Sequence, residues 1–422
     1  MRVNLLRYSL AIRVVLAILV SIFMLLPLHA FLTVWLGTIS GHYTALRLWK
    51  EVLLLFAGGI VISWLIRDRR VRQRILLSRL SWLIAAYVLL DLLLGAVDYH
   101  RHEVSAKALA YGLLSDLRFL AIFVIAWAAA LKSKLLTNYW RQLILWPAVI
   151  VVGFGLLQMS ILPANFLSHF GYGPKTINPY QTINNNSHYV RILSTLRGAD
   201  PLGAYLILPI SALIVSLRKF KSDRQAWLML GLLIGAAVVL IGSYSRAAWM
   251  GAIIAVLVIG LLSIEKAWLL DHRRVLIIST AGLLIVASVG FSQLARNSRF
   301  QNIFLHTQTN SSSGVSSNQA HLNALSGGIE QIINQPFGQG PGTSGPASDY
   351  NHYHAARIPE NYFLAIGEES GWLGMALFVA ISIYIGWLLW LRRSSPFALT
   401  MFASLIGITF VNMFSPGWDN HS

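Results

Sequence analysis

Arginines, one carboxylate and a pair of histidines are the side chains in this sequence whose types and spacing could do chemistry. Arg191 and Arg197 flank Ser194-Thr195 just ahead of an apolar run, and Arg246 closes the turn Ser243-Tyr244-Ser245-Arg246 between two others. A turn that short holds its guanidinium at the edge of the apolar region, where a planar fork of donors can grip a phosphate at two points. An arginine so placed is costly unless it snorkels, pairs or binds an anion. Interfacial anchoring therefore stands beside anion binding for Arg191 and Arg197, and capping of helix carbonyls beside phosphate binding for Arg246. Tyr244 and Ser245 offer hydroxyl donors on the same turn. Lys50, with Arg47 and beside Glu51, opens another apolar run and either joins the anion site or anchors at the interface.

Glu360-Asn361 lies where a long polar segment, Ser292 to Pro359, runs into the apolar Tyr362-Phe363-Leu364. A carboxylate there is favourable against the helix dipole, and at a water–lipid boundary it can also act as a general base. His352 and His354 precede it and are alternative proton acceptors; His321 lies further upstream. Glu368 and Glu369 fall about two turns deeper, where a structural ion pair with an intramembrane arginine such as Arg118 competes with a catalytic role. The His352-x-His354 spacing is weak evidence for zinc. No Asp-x-Asp or Asp-x-Glu pair stands on the outer loops to hold a divalent cation beside a diphosphate, and there is no cysteine. No metal and no cofactor are expected, so neutralising a phosphate would fall to arginine.

The elements that must position these groups are apolar helices. With 56% hydrophobic and only 12% charged residues, the chain matches a polytopic membrane protein. Runs long enough to cross roughly 30 Å of hydrocarbon occur near 14–36, 51–66, 80–97, 108–131, 142–162, 200–217, 226–243, 247–264, 275–291, 362–391 and 396–414. The expectation is 11 to 12 transmembrane helices, the first retained rather than cleaved as a signal peptide. Eleven spans leave Asn420-His421-Ser422 on the outer side, so either a final helix is missing or one span is uncounted.

The formal charge of +17 does not indicate a nucleic-acid partner, because the basic residues follow the positive-inside rule. Counted by alternate loops, 21 of the 33 Lys and Arg residues fall on one side. The N-terminus is thus expected in the cytoplasm, with loops 163–199 and 292–360 outside. The expected organisation is a bundle over 1–291 carrying outer loop 163–199, an extracytoplasmic loop over 292–360, and C-terminal spans over 361–422. Within the second loop Ala320, Leu322, Leu325, Ile329, Ile332 and Ile333 recur at helical spacing, which predicts an amphipathic helix over 319–334 lying on the membrane face. Gly338-Gln339-Gly340-Pro341-Gly342-Thr343-Ser344-Gly345-Pro346 then breaks regular structure.

In order, spacing and sidedness these blocks resemble the superfamily of O-antigen ligases and O-antigen polymerases, over roughly residues 45–415. The match rests on Arg191-Ile192-Leu193-Ser194-Thr195-Leu196 with Gly203-Ala204-Tyr205, and on Gly242-Ser243-Tyr244-Ser245-Arg246-Ala247-Ala248-Trp249. It continues through Pro336-Phe337-Gly338-Gln339-Gly340-Pro341-Gly342 ahead of Asn361-Tyr362-Phe363-Leu364 and Glu369-Ser370-Gly371-Trp372-Leu373-Gly374. Many members carry His before that Asn where this chain has Glu360, and Asp200 replaces a residue usually seen as Asn.

The resemblance implies an all-α, GT-C-like bundle in a bacterial cytoplasmic membrane, with its active site on the extracytoplasmic side. It implies a glycosyltransferase that moves a glycan from undecaprenyl diphosphate to a glycan, lipid or protein acceptor. By that reading Arg191 and Arg246 stabilise the leaving diphosphate and Glu360, or His352 or His354, takes the acceptor proton, with inversion and without a metal. Arg197, Tyr244, Ser245, Lys50 and Asn361 join the histidines in substrate binding, and the 292–360 loop acts as a lid. A polymerase using a second lipid-linked glycan as acceptor shares every motif, and a lipid-linked glycan transporter or a non-catalytic lipid-binding partner is a further alternative.

Overall fold

The computed structural model describes residues 8–183, 186–218, 223–263 and 317–415. Ten of the eleven expected runs are helices; the expected span at 275–291 lies outside the described residues. The first run, Leu10–Ser40, is two helices, α1 (Leu10–Leu25) and α2 (His29–Ser40), joined by a single 3-10 turn at Leu26-Pro27-Leu28. Pro27 lacks the N–H that a continuous ladder needs, so the run bends there. A short α3 (Tyr43–Arg47) leads into α4 (Trp49–Arg67), the basic α5 (Arg69–Leu76), α6 (Arg79–His100), α7 (Ala106–Lys132), a short α8 (Leu135–Asn138) and α9 (Trp140–Ser160). Then follow α10 (Ala199–Leu217), α11 (Asp223–Gly242), α12 (Arg246–Ser263), α13 (Ser317–Asn334), α14 (Tyr362–Leu391) and α15 (Pro396–Asn412). Among the described residues nine helical runs are long and apolar enough to cross a membrane, with α15 slightly shorter. The chain is an all-α integral membrane protein.

The largest apolar core gathers α9, α10, α11, α12 and α15 around Leu202, Leu206 and Ile207, all fully buried. A second joins α1, α4, α5 and α7, and a third joins α6, α7 and α14. The closest helix pair is α12 with α15, which meet backbone to backbone. A Cβ on Gly251 would lie 2.6 Å from the Gly407 carbonyl oxygen, and one on Gly407 would lie 2.5 Å from that of Gly251. Small residues at such a crossing let membrane helices associate through close packing, where apolar burial supplies no drive.

Two segments depart from expectation. Loop 163–199 contains an antiparallel hairpin, β1 (Gln181–Ile183) with β2 (Asn186–Arg191), which ends on Arg191 paired with Gln181. Helical and apolar patterning gave no sign of it, because the paired strands are short and polar.

The Gly-Pro segment after α13, expected as a break in regular structure and as part of a lid, is buried from Gly340 to Gly345. It lodges where α14 breaks at Gly371, whose φ of 64° and ψ of −168° lie outside the helical region. Gln339 and Gly340 donate their N–H groups to the carbonyls of Glu368 and Glu369 at 2.9 Å, and Trp372 donates to Pro336 O at 3.1 Å. The Glu368 and Glu369 carbonyls and the Trp372 N–H at the kink are thereby satisfied, as a buried backbone requires. Gly342, with φ of 90°, lies so close to α7 that a Cβ on it would sit 2.3 Å from Ala108 O.

Glu368 and Glu369 belong to this plug. Glu369 Oε1 accepts from Gly342 N at 2.8 Å and Ser344 N at 3.1 Å, and Glu368 Oε2 accepts from Ser344 Oγ at 2.8 Å. Of the two roles open to them, the ion pair with Arg118 is not the one seen, because Arg118 bonds Glu51 instead. Helix α13 is amphipathic as expected, beginning at Ser317. It packs on α14, with Ile332 buried over Gly367 and Gly328 close to Leu364, while Leu322, Ile329 and Ile333 stay exposed.

Candidate functional site

Arg191 and Arg246 are brought together by two turns that lock into each other. At the first, Ser194 takes a left-handed backbone (φ 51°), its hydroxyl donates to Val151 O at 2.6 Å, and its N–H donates to Gln158 Oε1 at 2.7 Å. Thr195 Oγ1 donates to Pro27 O at 2.8 Å. The Ser-Thr pair of the motif therefore anchors the turn to α9 and to the bend below α2. At the second turn Tyr244 is also left-handed (φ 51°), and Ser243 Oγ donates to Leu240 O at 2.7 Å. Ile192 N donates to Gly242 O at 3.3 Å and Arg191 Nε to Ser243 O at 2.9 Å, so each turn positions the other.

Gly203 on α10 makes this close approach possible. A Cβ there would lie 2.5 Å from the Ala248 Cβ and 3.1 Å from the Ser245 Cβ. Gly203→Val should lower stability by about 1–3 kcal/mol through overpacking, measured by thermal unfolding in detergent. It should also push the Ser-Arg turn away from Arg191. Ser245 is buried beneath this contact, whereas Tyr244 is half-buried at the mouth, its ring 6.4 Å from that of Trp249.

The site is rich in cations. Arg191 bonds Asp200 Oδ1 at 2.6 Å, and Arg246 lies in the field of both Arg191 and Asp200. A second group of cations lies nearby. Lys50, only 2% exposed, sits among Arg118, Arg47, Arg197 and Glu51. Arg118 Nη1 bonds Glu51 Oε1 at 3.0 Å. Arg118 stands twelve residues into α7, roughly 18 Å along its axis, so this group is recessed below the rim. The indole of Trp49 donates to His29 Nδ1 at 2.8 Å and pins the start of α4 to α2. Six cations thus gather around Glu51 and Asp200, at the end where Glu360 also lies. Sequence reasoning assigned Lys50, Arg191, Arg197 and Arg246 to binding but gave Arg118 a different partner. A lone arginine within an apolar run was the available signal.

Glu360 reaches the same end through α15. Arg246 precedes Gly251 by five residues and Met413 follows Gly407 by six, so both lie roughly 7.5–9 Å from the α12–α15 contact on the same side. Asn361 Nδ2 donates to Met413 O at 3.0 Å. Half-buried Glu360, just ahead of α14, and Arg246, at the start of α12, therefore stand level, and both helices pack on α15.

Asn361 is the N-cap of α14, its Oδ1 accepting from Phe363 N at 2.9 Å and Leu364 N at 3.1 Å. Replacing it with alanine should cost about 1 kcal/mol of helix stability, again readable by thermal unfolding. The histidines lie elsewhere on the rim. His354 Nε2 contacts Glu103 Oε2 at 2.6 Å, and exposed His352 stacks on Tyr353. Among the described residues no group of three or more His, Asp and Glu is placed to hold a metal ion.

Residues 230–379 match the family model described as O-antigen ligase. Over that region the chain is similar to the O-antigen ligases. No curated protein matches it. The matched O-antigen ligase region takes in the Ser-Arg turn, the Gly-Pro plug, Glu360 and the first part of α14, while Arg191 and Lys50 are supplied from outside it. An O-antigen ligase or polymerase is a membrane protein that processes lipid-linked glycans, which agrees with the cation-rich mouth at one end of an apolar bundle.

Proposed function

We propose that this protein is a membrane glycosyltransferase that moves a glycan from undecaprenyl diphosphate to an acceptor on the outer face of the cytoplasmic membrane. The observation that carries the reading is the pairing of Arg191 and Arg246 on two interlocked turns, level with Glu360 across the end of α15. The lipid tail lies along the apolar helices and the diphosphate enters the arginine site. The acceptor O–H or N–H attacks the anomeric carbon from the face opposite the diphosphate. The new bond forms as the C–O bond to phosphate breaks, the electron pair leaves on the diphosphate, and Glu360 takes the acceptor proton. One displacement inverts the anomeric centre.

Preorganised guanidiniums aimed at the leaving oxygens stabilise the transition state, and they do so most where water is excluded. In this reading the arginines do the work a divalent cation does at other diphosphate sites. Glu360 is favoured over the two histidines as base because it stands level with Arg246, whereas His354 is held by Glu103 on the loop after α6. The recessed Lys50 group extends the phosphate site below the rim.

The test is glycan transfer by the purified full-length protein in detergent, from a polyprenyl-diphosphate glycan to candidate acceptors, with EDTA present. Transfer with inversion at the anomeric centre supports the reading. Loss of transfer on adding EDTA, restored by a divalent cation, would overturn the arginine-only chemistry. Donor binding with no transfer to any acceptor would overturn the enzymatic reading. Products extended by repeat units would identify the acceptor as a second lipid-linked glycan and make the enzyme a polymerase.

A further inference from the structure

The end of the bundle opposite the arginine site holds a crevice with a different chemistry. It opens where α9 begins at Trp140, α14 ends at Leu391 and α15 begins at Pro396, and its volume is about 380 Å³. One part of its wall is cationic and polar, from Arg141, Arg392 and Ser395; another is apolar, from Trp140, Leu388 and Phe397. Among the described residues no carboxylate lines it. The Trp140 and Phe397 rings meet edge to face at 5.7 Å, and the Arg141 guanidinium lies 5.4 Å from the Trp140 centroid. Arg393 lies over Trp390 beside the opening, at 4.4 Å. The first turn of α15 has no side-chain cap, so it too faces this polar end without a competing acceptor from Ser395.

We propose that this crevice is a binding site for an anionic phospholipid of the inner leaflet. Two guanidiniums, with Ser395 beside them, match a phosphate headgroup. The adjoining apolar wall matches the first carbons of an acyl chain, which a free phosphate would leave unused. Basic pockets between membrane helices suit anionic headgroups, each Lys or Arg near the surface adding to the attraction. The site joins the ends of α9, α14 and α15, and it does not depend on the glycosyl-transfer reading.

The test is native mass spectrometry of the purified full-length protein in detergent, titrated with phosphatidylglycerol or with phosphatidylcholine of the same acyl chains. The wild type should bind phosphatidylglycerol the more tightly. Arg392→Gln, at an exposed position, should weaken that binding about fivefold, and Arg141→Gln with Arg392→Gln should weaken it more than tenfold. Phosphatidylcholine binding should not change in either. Phe397→Ala should weaken both lipids alike. Equal affinity for the two lipids, or phosphatidylglycerol binding unchanged in Arg392→Gln, would overturn the proposal. Displacement of the lipid by inorganic phosphate at matched charge would show a free-anion site and overturn it as well. Should the double variant fail to fold, the single exposed substitution decides.

Discussion

Glu360→Gln should lower glycan transfer by roughly 10²–10⁴-fold, the range for loss of a positioned general base, while leaving donor binding near wild type. Glutamine keeps the size and much of the polarity of the side chain but cannot accept the acceptor proton. The nearby Asn361 cap and its bond to Met413 O use groups on the next residue, so α14 should keep its start. The loss should therefore fall on kcat rather than on KM for the donor. Single-turnover transfer with a fixed glycan donor, read across pH, separates the possibilities. The wild-type rate should rise with pH as the base ionises and then level, and the variant should lose that limb. Full activity in Glu360→Gln, combined with a collapse in His354→Gln, would move the base to the loop held by Glu103.

Arg246→Ala should reduce transfer by roughly 10²–10³-fold, the magnitude seen when one preorganised donor to a developing anion is removed. The conservative Arg246→Lys should recover only part of it, because an ammonium cannot grip phosphate oxygens at two points. Arg191→Ala should be as damaging for transfer and more damaging for the fold, because Arg191 also ties the two turns together through Ser243 O and bonds Asp200. Thermal unfolding alongside the transfer assay distinguishes these two routes. If Arg246→Ala retains full transfer and full donor affinity, the guanidinium is a structural cap and the phosphate site lies with Lys50, Arg197 and Arg118.

Much of the fold was legible because membrane helices must satisfy their backbone internally and so declare themselves as long apolar runs. The site was legible in part. Arg246 showed itself because a turn of four residues leaves a guanidinium no room to leave the interface. The partner of Arg118 was not legible, because Glu51, Glu368 and Glu369 are equally plausible carboxylates until tertiary packing chooses. The β1–β2 hairpin lay hidden for a different reason: its six-residue strand is polar and pairs with three residues of the other, so no alternation of apolar residues marks it. Gly203-Ala204-Tyr205 was readable as a motif but not as a mechanism until the Ser245 and Ala248 side chains were seen against Gly203.

The plug formed by residues 336–345 has a consequence for building chimaeras. It is fastened to α14 at Glu368 and Glu369, and it touches α7 at Ala108 and α6 at Asp98. A segment of this kind is not a cassette that can be moved on its own between related proteins. Its glycines fit against backbone oxygens on α7 and α14 and against the Asp98 carboxylate on α6, so a graft that carries the plug without α6, α7 and α14 would meet the wrong surfaces. Exchange boundaries belong instead at Asn334 or earlier, where α13 ends, leaving everything from Gln335 to the kink at Gly371 with its native helices.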